Sequence, residues 1–180
     1  MSAIRHGRAT MCWPQAVRVV HWNVRRCRDL AEECSVARVV HTLAELRPSL
    51  LSLNELDVNS TPELMPQLSA RCGLPYSSFF GHVRGTYGNA LLSAEPLREV
   101  EHVHLDGGTA VVSRDGRRHR IARGMLGATV RVAGVHLRLG VTHLDHICDR
   151  ERTVQLEHAL RSLGGDGGGA SVGGGGGGAG

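Results

Sequence analysis

No lysine occurs among the 180 residues, and all 21 basic residues are arginine. Together with the alanine and glycine content, this reads as the trace of a GC-rich coding sequence more readily than as phosphate recognition. Aromatic residues make up only 3% of the chain, so its core has to be built from Val, Leu, Ile and Ala. The five cysteines form no C-x-x-C pair and their number is odd. That argues against a disulfide framework or a zinc ribbon and for buried, reduced thiols in an intracellular protein. No apolar run approaches the ~20 residues needed to cross a bilayer. Arg5 and Arg8 lead into no apolar segment before Pro14, so the residues predict no secretory leader. The expected location is the cytoplasm or nucleus, with only a faint organelle-import signature in the acid-free start.

Acidic residues are missing from the first 28 positions, which hold six arginines. From Asp29 onward 15 basic residues face 17 acidic ones. The overall charge of +4 therefore belongs to the N-terminus. The body carries no global charge suited to nucleic acid, so the charge distribution does not point to nucleic acid as the partner. Arg84, Arg114, Arg117, Arg118, Arg120 and Arg123 could form a local basic patch, but such a cluster is more often a solvated face.

Glycine is in excess at one end only. Twelve of the 24 glycines lie between Gly164 and Gly180, a stretch that cannot bury enough apolar surface to offset its ordering entropy. The expected organisation is a basic, flexible segment over 1–16, one domain over 17–163 and a disordered tail over 164–180. Hydrophobic residues at 41% and charged residues at 21% suit a globular body.

Val17-Arg18-Val19-Val20-His21-Trp22 reads as a buried strand delivering Asn23 to its end. Val36, Val39, Val40, Leu43 and Leu46 recur as on one helix face, with Ser35 before them and Pro48 after. Leu50-Leu51-Ser52-Leu53 is a second apolar strand, ending at Asn54-Glu55. Strand, helix and strand in this order predict a βαβ unit with a parallel sheet buried on both faces. Thr61-Pro62-Glu63 starts a second helix. Strands follow over 75–80, 89–93, 97–105, 123–132 and 135–142, and a last helix spans 149–163. The fold class is a mixed-sheet α/β or α+β domain without repeats.

Three polar clusters stand at strand ends: His21-Trp22-Asn23, Asn54-Glu55-Leu56-Asp57 and Thr142-His143-Leu144-Asp145-His146. One such cluster alone would simply cap a strand. Jointly they match metal-assisted phosphodiester chemistry, in which a hard cation takes carboxylate and phosphate oxygen while a histidine acts as acid, base or charge stabiliser. A zinc cluster of His136, His143 and His146 is the weaker alternative, with no cysteine nearby.

These segments resemble the endonuclease/exonuclease/phosphatase superfamily with its DNase I-like fold. The resemblance rests on Arg18-Val19-Val20-His21-Trp22-Asn23, Arg47-Pro48 through Asn54-Glu55, Tyr87-Gly88-Asn89-Ala90-Leu91-Leu92-Ser93 and Val141-Thr142-His143-Leu144-Asp145-His146. Arg152 and Gln155 add an R-x-x-Q helix, so order and spacing agree over 17–163. The resemblance implies a two-sheet sandwich flanked by helices and a Mg²⁺- or Mn²⁺-dependent phosphoesterase acting on a phosphodiester or phosphomonoester. It implies that Glu55 binds the metal, and that Asn23 and His143 act catalytically at the metal and phosphate. Asn89 falls on the substrate side of the site, mainly as support. The family's Gln before the metal Glu is Asn54 here, a shorter amide.

The departures matter as much. The G-D-x-N and S-D-H elements that supply the rest of such a site are not in the sequence, and Gly165-Asp166 is only a superficial echo of the first. This predicts a domain incomplete at its C-terminus, weakly stable and with little or no activity. The alternative is a non-catalytic remnant that binds a phosphate ligand or a protein partner through the surviving half-site.

Overall fold

Residues 17–113, 115–132 and 134–164 are described by the computed structural model. The N-terminal basic segment, Arg114, Ala133 and the glycine-rich stretch from 165, with Asp166, lie outside them. Strand β1 (Val19–Asn23) leads through a 3₁₀ turn (Arg25–Cys27) into helix α1 (Val36–Leu46) and strand β2 (Leu50–Asp57). The two strands run parallel, Val19 beside Leu50 and Asn23 beside Asn54, as the βαβ reading requires. Helix α2 (Leu64–Cys72) ends on Gly73, whose φ of +67° forms a left-handed cap. Strands β3 (Tyr76–Val83) and β4 (Tyr87–Ser93) complete a four-stranded sheet in the order β1-β2-β4-β3.

A second sheet is antiparallel throughout, with the order β5-β8-β9, from Leu97–His104, Gly124–Val132 and Val135–Thr142. Between β5 and β8 the chain forms a small hairpin of β6 (Ala110–Val112) and β7 (Arg118–Arg120), absent from the sequence reading. Helix α3 (Asp149–Gly164) closes the described chain and runs one residue past the expected end.

Alternation along β2 and β4 sorts the core into layers. Leu50 and Leu91 point between the sheets, where they meet Leu126, Ala128, Val130 and Val141 of the second sheet. Leu51, Leu53, Ala90 and Leu92 point the other way, onto Val40 and Leu43 of α1 and Leu64 and Leu68 of α2. Burying each of these leucines contributes about 2 kcal/mol. That double burial is why β2 reads as a continuous apolar run rather than an alternating one. On the far side of the second sheet, Met125 and Leu105 pack on Ala159 of α3. The result is the mixed α/β, two-sheet sandwich with flanking helices expected for a DNase I-like fold.

Strand β1 departs from expectation. Its β-branched residues predict burial, yet Val19 is 55% exposed, and His21 and Trp22 are exposed as well. The cause is position: β1 is the outer strand of its sheet, so α1 and β2 cover it on one flank only. The expected buried thiols also divide, with Cys27 buried, Cys34 exposed and Cys72 and Cys148 between.

Candidate active site

The site is built where β2 breaks its regular pairing. Leu53 pairs with Ala90 and Leu56 with Gly88, so Asn54 and Glu55 together face the single residue Asn89. This is a β-bulge, and Glu55 sits in it at a φ of +57°. A left-handed backbone at a non-glycine residue costs of order 1–3 kcal/mol and persists only where surrounding contacts enforce it. Here the bulge re-aims the carboxylate toward the ends of the neighbouring strands.

Three groups meet that carboxylate. The Asn23 amide donates from Nδ2 to Glu55 Oε1 at 2.8 Å, while Asn23 Oδ1 accepts from the Arg25 backbone N–H at 3.0 Å. His143 Nδ1 lies 3.5 Å from the same Glu55 oxygen. Tyr87 is the third neighbour: burial first, and then the charge of Glu55, push its pKa up to about 12. Tyr87 in turn lies under the Arg26 guanidinium, 4.8 Å from the ring centroid. Asn23, Glu55 and His143, from three separate stretches of sequence, therefore converge.

Behind them lies a buried chain of amides. Asn54 Nδ2 donates to Asn89 Oδ1 at 2.7 Å, and Asn89 Nδ2 donates to the carbonyls of Gly124 at 2.8 Å and Val141 at 3.3 Å. Asn89 has no exposed surface, so in this structure it braces the two sheets rather than presenting a group to substrate. The shorter Asn54 amide reaches Asn89 without difficulty.

Arg123 is what the sequence reading missed. Its place among six neighbouring arginines suggests a solvated face, yet it is only 6% exposed. Its guanidinium contacts His146 Nδ1 at 3.0 Å, and its Nε has no hydrogen-bond partner. Burial first, and then the Arg123 charge, hold the His143 pKa below its ordinary value, which leaves the imidazole neutral near pH 7. Arg117, Arg118 and Arg120, by contrast, do lie on the exposed face of the β6–β7 hairpin region. The available signal was position, because Arg123 immediately precedes the apolar β8 run.

Asp145 is not placed as a metal ligand. It is 1% exposed, and it accepts from the Thr109 N–H at 2.7 Å, the Thr109 hydroxyl at 2.9 Å, and the N–H groups of Ile147 at 2.8 Å and Cys148 at 3.0 Å. Burial alone would raise its pKa, but these donors outweigh it and hold the carboxyl well below the usual range. Gln155 Oε1 accepts from the Asp145 N–H at 2.7 Å, so the Gln of R-x-x-Q fastens α3 to the strand end that carries His143. Among the described residues no three His, Cys, Asp or Glu side chains are arranged to hold a metal, and the zinc cluster of His136, His143 and His146 does not form.

A sequence profile of the Endonuclease/Exonuclease/phosphatase family matches residues 20–172. The chain belongs to that family. Solved structures agree on the fold. An endonuclease/exonuclease/phosphatase from Beutenbergia cavernae DSM 12333 is 20% identical with a TM-score of 0.59, over 82% of this chain and 43% of that one. Humanized D. rerio TDP2 is 22% identical with a TM-score of 0.60, over 83% of this chain and 57% of that one. A mannosyl-6-phosphatase from Bacteroides thetaiotaomicron VPI-5482 is 13% identical with a TM-score of 0.61, over 84% of this chain and 61% of that one. This Endonuclease/Exonuclease/phosphatase chain thus spans about half the length of the solved structures it matches. No curated protein sequence matches it. No helix among the described residues is long and apolar enough to cross a membrane.

The donor set of this family member can be tested against a hard divalent cation. Magnesium binds commonly through one or two carboxylates, with substrate phosphate and water completing its shell. Glu55 is one carboxylate, 22% exposed in its side chain and aimed outward by the bulge. Such a site fits a cation held jointly with phosphate, not one enclosed by protein alone.

Proposed function

We propose that this chain is a divalent-metal-dependent phosphoesterase domain whose substrate phosphate lies between Glu55, Asn23, His143 and Arg123. The observation that carries the reading is the convergence of Asn23 and His143 on one oxygen of Glu55, at 2.8 and 3.5 Å. Glu55, with Asn23 beside it, would hold Mg²⁺ or Mn²⁺, and the bound cation would supply positive charge against the phosphate oxygens.

The protein's own groups do the rest. Asn23 fixes the rotamer of Glu55 through one oxygen and leaves the other for a ligand. Neutral His143, tethered on Glu55 through Nδ1, has Nε2 available to accept or return a proton at the ester. Arg123, buried and with its Nε unpartnered, offsets charge that develops on the phosphate in the transition state. In-line transfer also needs a positioned nucleophile, and the 180 residues contain no G-D-x-N or S-D-H element to place it.

A second reading, a domain that binds a phosphate ligand or a protein partner without turning it over, is favoured by a cluster in which Asn23 and His143 converge on the single carboxylate of Glu55. The test is hydrolysis of bis(p-nitrophenyl) phosphate with magnesium or manganese. Turnover that chelation stops and Glu55→Gln abolishes supports the phosphoesterase. Metal-dependent phosphate binding without turnover supports the second reading.

A further inference from the structure

A cleft of about 380 Å³ opens beside Asn23, between the end of β1 and helix α1. Trp22, Val24, Leu30 and Val39 form its walls. The arginines at its rim are already engaged. Arg38 is ion-paired with Asp29 and Arg25 with Glu32, and Arg28 donates to the Glu32 carbonyl at 2.7 Å. What remains open in the cleft is apolar surface rather than charge.

Two features mark it as a place for a ligand. Leu30 is 97% exposed at its mouth, a leucine with nothing to pack on. The indole of Trp22, on the outer strand of its sheet, is 36% exposed and lines the cleft. Asn23 lines it too, and the same Asn23 amide is bonded to Glu55. A molecule whose phosphate reached Glu55 would have its neighbouring substituent here.

We infer that this cleft is the subsite for a planar aromatic group carried next to the phosphate, held against Trp22 and Leu30. The volume lies at the small end of ligand pockets, suited to a ring rather than a chain of sugars. A single ring stacked on an indole and buried on its edge gains about tenfold in affinity. The inference rests on the phosphate position proposed above.

The test titrates the purified chain, with magnesium present, against phenyl phosphate, thymidine 5′-monophosphate and methyl phosphate. Calorimetry measures affinity, and fluorescence in a Trp13→Phe background reports on Trp22 alone. The expected result is that at least one ring-bearing ester binds about tenfold tighter than methyl phosphate and quenches Trp22. Which of the two binds tighter separates an aryl ester from a nucleobase as the source of the ring. Trp22→Ala and Leu30→Ala, both at exposed positions, should reduce that preference toward unity while methyl phosphate affinity stays unchanged. Equal affinity for all three esters, or a preference that survives Trp22→Ala, overturns the subsite. If methyl phosphate binds no better to wild type than to Glu55→Gln but ring preference persists, the phosphate placement fails and the aromatic cleft stands.

Discussion

Asn54 and Asn89 are joined by a buried amide hydrogen bond of 2.7 Å, one residue before the strained Glu55. Through Asn89 the link continues to the carbonyls of Gly124 and Val141, next to Arg123 and two residues before His143. One pair of side chains thus ties the strand carrying the carboxylate to the two strands carrying the cationic and imidazole groups. Asn89→Ala should leave the Asn54 amide unpaired and take one donor from each of two carbonyls, of which Gly124 keeps the Thr142 hydroxyl at 3.1 Å. The expected loss is about 3 kcal/mol in urea unfolding followed by circular dichroism. A loss below about 0.5 kcal/mol would show that the brace adds little to stability.

Asp145 organises the turn after β9 by accepting four hydrogen bonds. Its replacement by alanine should cost about 3 kcal/mol, since three backbone N–H groups lose their partner at once. Amide exchange should rise at Thr109, Ile147 and Cys148 before the rest of the chain opens. Uniform exchange across the domain would contradict that local role.

His82 is buried with neither ring nitrogen hydrogen-bonded, and burial first, then the charges of Arg123, His104 and His143, lowers its pKa to about 4. The unfolded chain binds a proton near pH 6.5 while the folded chain does not. The resulting stability is therefore complete above about pH 6.5 and is lost as pH falls toward 4. This contributes up to about 3 kcal/mol, and His143, also lowered, acts in the same direction. His82→Phe should flatten stability between pH 6.5 and 4, as read by urea unfolding at each pH. An unchanged slope in that variant would assign the acid loss elsewhere.

Arg123 holds a positive charge against His143. Arg123→Leu should raise the His143 pKa, measurable by NMR titration, and weaken phosphate binding about tenfold, as expected for loss of one charge-assisted contact. Unchanged values for both would place Arg123 in packing alone.

Much of this arrangement was readable in advance because it rests on periodicity. The buried α1 stripe of Val36, Val39, Val40 and Leu43, the apolar β2 run and the strand-end positions of Asn23 and His143 follow from apolar spacing; Leu46 is exposed, and Glu55 lies in a bulge within β2 rather than at its end. Edge position does not follow from spacing either: β1 carries the same β-branched residues that a central strand would, so its exposure could not be read from Val17 to Trp22. The β6–β7 hairpin was hidden because Arg118-His119-Arg120 shows no apolar alternation. Arg123 was hidden by its neighbours, since burial of one arginine among six depends on which strand follows it. The roles of Asp145 and Gln155 required the fold, because their partners at Thr109 and in the turn before α3 are distant in sequence or lie in irregular backbone.

The central claim is that Glu55, reached by Asn23 and His143, forms with a divalent cation a phosphate site. Calorimetric titration of inorganic phosphate into wild type and Glu55→Gln, with magnesium and with EDTA, measures it most directly. The account predicts magnesium-dependent binding to wild type, weakened at least about tenfold in the variant. Binding that ignores both magnesium and the Glu55 substitution would contradict it.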